Sequence, residues 1–322
     1  MPAAGRSRLI LLWSHSAART ERNGDPEDCS WSQPCSSGWI AADPRNAEVL
    51  FPYLNGQDLN SRPDASASRW VIDFNNRTEE EAATYPLPYH RILTAVKPER
   101  ERLMGRNTIS TNRARLWWRY GSNSPALRQA ISELAEVLAI TRVSKTVMPI
   151  RVTTGQVFSD SLNVFATASY SDQAVLSSSL HQIWAITYGS GMRSDPRYTP
   201  SDVFETFPRP RSSADLIDLG KVLDARRREV MMRRHLGLTE FYNLVNDARL
   251  EEWQDSDVAH IRHMHCELDQ AMIEAYGWND ITLNHGFYTY RQVTRWTVSP
   301  GARSELLDRL LSENLSRVTE NT

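Results

Sequence analysis

The apolar residues change period near residue 211, and this divides the chain into two kinds of structure. From Ser212 onward they recur at helical spacing over long stretches. Asp215–Leu236 reads as one long helix with Gly237 near its end. Asp257–Tyr276 is a second: Ile261, Met264, Leu268, Met272 and Ala275 share a face, and Gly277 stops it. A third opens at Ser299-Pro300, a capping serine followed by proline in the first turn, and carries Leu306, Leu307, Leu310, Leu311 and Leu315. Between residues 43 and 211 the pieces are short and mixed. Trp70, Ile72 and Phe74 alternate with Arg69, Val71 and Asp73, which predicts a strand. Residues 78–104 have helical character interrupted by Pro86, Pro88 and Pro98. Ala126–Leu138 places Leu127, Ile131, Leu134 and Leu138 on one helical face. Strands are expected at 137–142, 147–153, 157–158 and 162–165, with turns at Gly155 and Ser159–Ser161, and one helix over Asp172–Tyr188 closed by Gly189. The fold class is therefore α+β. A mixed α/β domain spans residues 43–211, and a mostly helical domain spans 212–322. Residues 1–42, rich in Ser, Arg and Gly without sustained period, are expected to be poorly ordered.

Several classes of function are excluded or left without support. No apolar run approaches the roughly eighteen residues of a membrane span. Leu9–Trp13 is too short for a secretory signal, so a cytoplasmic protein is expected. Three cysteines (Cys29, Cys35, Cys266) cannot build a disulfide scaffold. The one G-x-G, at Gly189–Gly191, follows a helix and reads as a helix stop, so no nucleotide cradle is expected. There is no Pro-Pro dipeptide, no G-x-S-x-G and no H-E-x-x-H. His260 and His263, at i and i+3, can share a helix face, but His265, beside Cys266, sits on a different one, so the three do not converge and no metal site is expected.

Charge distribution is more informative than the net charge of −2. Residues 91–151 hold 12 basic and four acidic side chains, a net of +8, whereas residues 212–322 are net −5. A local excess of that size suits a polyanion-binding face. Only three basic residues are lysine (Lys97, Lys145, Lys221), and the arginine fork can grip phosphates and guanine edges at two points. Arg142–Gln156 concentrates arginine, lysine, serine and glutamine beside predicted strands, the types that bond base edges and phosphates. Trp117-Trp118-Arg119-Tyr120 reads as core packing or as a stacking surface for nucleic acid, and Glu99–Arg102 as a solvated helix face.

Phe51–Asn60, with Pro-Tyr-Leu-Asn-Gly-Gln-Asp-Leu-Asn after the phenylalanine, resembles the start of the target-recognition domain of MmeI-like type II restriction–modification enzymes. Further segments agree in order: Ser68–Phe74, Val96–Arg100, Arg115–Trp118, Ala139–Lys145, Thr154–Ser159 and Arg197–Pro208. In the helical part, Leu236–Asn243, Glu267–Trp278 and His285–Phe287 follow. The family joins a nuclease, an adenine-N6 DNA methyltransferase using S-adenosylmethionine, and a DNA-reading domain. The resemblance covers residues 42–320 and implies the DNA-reading and C-terminal portions. The family's methyl-donor loop, Pro-Pro-Tyr loop and nuclease residues have no match here, so no catalytic residue and no cofactor are assigned to this chain.

From charge, residue type and family position, the expected DNA contacts are Arg69, Arg142, Ser144, Lys145, Arg151 and Gln156, with Ser178, His181 and Arg193 behind them. The partner implied is double-stranded DNA, held while an adenine is flipped into a methylase. The helical tail is expected to brace this domain. Two other readings stay open: a specificity subunit docking through Phe51–Leu59 on a separately encoded methylase, and a non-functional gene remnant.

Overall fold

A computed structural model describes residues 33–121, 124–192 and 195–320. Residues 1–32, and with them most of the segment expected to be poorly ordered, lie outside these. Gln33–Ala42 form helix α1, which leads through a short 3-10 turn capped by Asp43 into strand β1 (Leu50–Leu54). The Asn55 side chain accepts from Asp58 N and starts α2 (Gly56–Ser61). Strand β2 (Arg69–Ile72) returns antiparallel to β1, with Leu50 opposite Ile72 and Tyr53 opposite Arg69.

Residues 78–104 hold three helices: α3 (Glu79–Ala83), α4 (Pro86–Ala95) and α5 (Lys97–Arg102). A Thr78–Glu81 capping box opens the first. Prolines stand in the first turn of the other two, where their missing N–H leaves no bond unmade, so they start helices where the sequence suggested interruptions. Then come α6 (Thr108–Arg115) and α7 (Pro125–Ile131).

The helix expected over 126–138 is shorter. Leu138 belongs to β3 (Glu136–Thr141), the centre of a sheet ordered β4-β3-β6, with β4 spanning Ile150–Thr153 and β6 Leu162–Phe165. Val137, Leu138, Ala139 and Ile140 are all buried, because a central strand covered on both faces is apolar throughout and lacks alternation. The two-residue β5 (Val157–Phe158) pairs parallel with β1 in the other sheet. The helix expected over 172–188 is two, α8 (Tyr170–Ser177) and α9 (Ser179–Tyr188), broken at an extended Ser178. Ser178 donates to Val175 O at 2.7 Å and accepts from His181 N, the local competition that serine offers a helix. A hairpin, β7 (Ser190–Met192) and β8 (Asp195–Arg197), and the short α10 (Pro200–Val203) follow.

Long helices α11 (Ala214–Arg234) and α13 (Ser256–Tyr276) lie where the period put them, with α12 (Leu238–Val245) between and α14 (Pro300–Glu320) last. The helical reading missed one hairpin, β9 (Gly286–Tyr290) and β10 (Val293–Thr297). Its two turn residues, Arg291 and Gln292, both have positive φ, which Asn-Gly would have advertised. α11 packs on α8 at Gly220, where an added Cβ would collide with the Tyr170 carbonyl.

The main apolar core runs across residue 211. Leu138, Phe165 and Leu180 share it with Leu216, Met264 and Leu306. A smaller core gathers Leu50, Ile72, Phe74, Tyr85, Ile92 and Trp117. Among the described residues no helix is long and apolar enough to cross a membrane.

Candidate nucleic-acid interface

Arg142 emerges at the end of β3. Its N–H donates to Ser161 O and its carbonyl accepts from Tyr198 N, both at 2.8 Å. Its Nη1 donates to Asp160 O at 3.0 Å. Burial and the nearby Arg197 guanidinium lower its pKa, and the Asp160 carboxylate opposes them. Val143 forms a β-bridge with Arg197. Half-buried Ser144 accepts from Thr146 N at 3.0 Å and its own N–H donates to Pro196 O at 3.3 Å. Lys145 is exposed and its side chain makes no bond among the described residues, yet its carbonyl accepts from Arg295 Nη2 at 3.2 Å. A backbone fastened from both sides thus projects a lysine into solvent. The fastening from β10 is where the C-terminal part braces this loop.

Arg69 joins the same region. It is exposed and lies directly opposite Tyr53, and cross-strand partners share a sheet face. Tyr53 hydrogen-bonds the Tyr120 hydroxyl, which also lies near Asp73 and Asp160. Burial, the first cause, raises the Tyr120 pKa and keeps that phenol neutral. Arg69, Tyr53, Tyr120, Asp160, Arg142 and Arg197 therefore form one chain of neighbours. Tyr53, Tyr120 and Arg197 were not anticipated, since no local pattern marks residues brought together from six separate segments of the chain.

Three expected contacts are corrected. Arg151 is only 3% exposed. Its Nε and Nη2 donate to Gln173 Oε1 at 3.2 and 2.9 Å, its Nη1 donates to Ala168 O at 3.0 Å, and it stacks on Tyr170 at 4.1 Å. β4 turns this side chain inward, away from solvent. Ser178 is buried as the α9 cap. His181 is buried too: Leu176 O can only accept, so Nδ1–H donates to it at 2.9 Å and Nε2 accepts from the Tyr198 hydroxyl at 3.0 Å. Burial pulls its pKa down to about 4, which leaves a neutral structural imidazole at pH 7. Gln156 is half-buried and donates to Thr153 O at 2.8 Å beside a groove of about 260 Å³ lined by Phe51, Arg128 and Ser132. Arg193 lies outside the described residues. A cleft of about 800 Å³ between α8, residues 205–212 and α14 shares none of the residues of the Arg142 loop.

Other sequence features resolve into packing. Trp117 is buried against Tyr89, with Lys97 over its ring at 4.8 Å, and Trp118 Nε1 donates to Arg77 O at 3.0 Å. Arg100, read as solvated, is half-buried and donates to the carbonyls of Trp117 and Arg119 at 2.9 and 2.7 Å. His265 is buried against the Tyr242 hydroxyl at 3.0 Å. Among the described residues no group of three or more His, Cys, Asp or Glu is placed to hold a metal.

Residues 32–211 match the family described as the MmeI target recognition domain, beginning ten residues before the composition shift. A solved structure of the type IIL restriction–modification enzyme MmeI, in complex with DNA, has the same fold. The TM-score is 0.60 at 17% identity, over 88% of this chain and 33% of that one. This chain thus spans about a third of that enzyme's length. No curated protein matches it.

Proposed function

Because this chain belongs to the family of MmeI target recognition domains, we propose that it reads a specific sequence of double-stranded DNA for a restriction–modification enzyme. The observation that carries this reading is the fastened loop at 142–146 beside Arg69. Two exposed cations there, Arg69 and Lys145, have no side-chain partner among the described residues and stand on backbone that cannot easily move. A fixed backbone beneath the cations suits a duplex, since little loop ordering remains to be done on binding. Arg69, with its planar fork, suits a guanine edge, and Lys145 suits a phosphate. Arg142 and Ser144 hold the loop that presents them and line the same surface.

In this reading the enzyme methylates adenine at N6. The methyl donor, S-adenosylmethionine, binds a methylase domain and not these residues. The support is that no Pro-Pro dipeptide and no strand-following glycine loop occur in the sequence. The recognition domain holds the duplex while the target base is rotated out.

Selection from a randomised duplex library, read by sequencing, tests the proposal. One short sequence should be enriched over successive rounds. A library that stays flat while the protein remains folded would remove the recognition role. Equilibrium dialysis with S-adenosylmethionine alone should show no uptake, and tight uptake would overturn the division of labour.

A further inference from the structure

The cationic excess that marks this chain is not on its strands. Of the 12 basic residues between 91 and 151, eight lie within 91–121, against two carboxylates, Glu99 and Glu101. That stretch holds the end of α4, then α5 packed on α6, joined by a turn in which Gly105 adopts φ +84°. Its root is built. Arg100 spans from α5 to the carbonyls of residues 116–119, Arg113 Nη2 donates to Gly121 O at 3.2 Å, and Gly105 N donates to Thr111 Oγ1 at 3.1 Å. Its outer part carries Arg102, Arg106 and Arg115, all exposed and all without a side-chain hydrogen bond or ion pair among the described residues.

The C-terminal arginines behave differently. Arg226, Arg233, Arg234 and Arg309 each meet a carboxylate. Arginine on this protein's surface is therefore not unpaired by default, and the arm is where the unpaired cations accumulate. Like charges gathered on one arm repel, and salt at physiological strength screens such repulsion over about 8 Å. A regular polyanion relieves that repulsion. The arm is also continuous with the surface already described, since Tyr120 at its root bonds Tyr53 and borders Asp160, whose carbonyl takes the Arg142 guanidinium.

We propose that the α5–α6 arm grips the phosphate backbone of the same duplex, outside the bases read by the Arg69–Lys145 surface, so that it sets affinity and salt dependence without setting sequence preference. This rests on the DNA-reading function proposed above. An arm of this kind releases counterions from the duplex and carries no sequence information of its own.

The test compares the full chain with a triple variant, Arg102→Gln, Arg106→Gln and Arg115→Gln, by fluorescence anisotropy on its selected duplex across salt concentrations. Three lost phosphate contacts should reduce the slope of log K against log salt by about 2.7. Between 50 and 200 mM salt the parent should then lose about 40-fold more affinity than the variant. The enriched sequence should be the same for both. Arg249→Gln, an exposed arginine paired with Asp247, is the control and should leave the slope unchanged. A parent that binds no duplex defeats the recognition function itself. A parent that binds, with a triple variant of equal slope and affinity, defeats only the arm, and so does a variant whose preferred sequence changes.

Discussion

His285 offers a sharp test of how the C-terminal part is held on the recognition domain. Asp269 on α13 is fully buried, accepts from Ser179 N at 2.7 Å at the start of α9, and faces His285 Nε2 at 2.8 Å. Burial works against the imidazolium. The hydrogen bonds to Asp269 and Cys266, with the Asp269 charge, outweigh it and push the His285 pKa up to about 10. Unfolded histidine titrates near 6.5. The folded state therefore keeps a proton that the unfolded state loses. The stabilisation is complete below about pH 6.5, declines through the interval, and is gone above about pH 10. Three and a half pH units at about 1.4 kcal/mol each set a ceiling of about 5 kcal/mol. His285→Gln keeps a donor toward Asp269 and removes the titration. Urea unfolding of both proteins at half-unit intervals from pH 6 to 10 is the assay. At pH 6 the parent should be more stable by about 3–5 kcal/mol, and the two curves should converge as pH rises. Curves that stay parallel throughout would refute an imidazolium–carboxylate clamp at this junction.

Other outcomes follow from the same packing. His181 and His265 are buried with pKa values near 4, so both must gain a proton on unfolding; stability should fall as pH drops from about 6.5 to 4, and His181→Gln should blunt the fall seen by circular dichroism. Arg151→Met should cost about 2–4 kcal/mol by chemical denaturation, because Gln173 and the Ala168 carbonyl lose a charged donor, while the selected DNA sequence stays the same. Gly220→Ala should lower stability by about 1–3 kcal/mol, since α11 must move off the Tyr170 carbonyl, and an unchanged melting temperature would contradict the contact. Lys145→Ala should weaken all duplexes alike and reduce the salt slope by about one.

Much of this molecule was legible in the chain alone. The long helices, their serine, proline and glycine ends, and the change of architecture near residue 211 follow from period and capping, which are local. So does the position of the positive charge along the sequence, and the ordered short motifs were enough to identify the family. Sidedness was not legible. Leu138 fits a helical face by spacing but becomes part of a central strand, because β4 and β6, from the segments that follow it, pair with β3 on both edges. Arg151 carries the residue type of a DNA contact, yet β4 turns it onto Gln173 and Tyr170. Arg100 sits in a charge run that reads as solvated, yet it ties the root of an arm together. Charge totals and periods are properties of a line and can be counted before folding. Which cations are consumed by a carbonyl or an aromatic ring, and which remain facing water, depends on which faces meet when β3, α8 and the C-terminal helices close over one core.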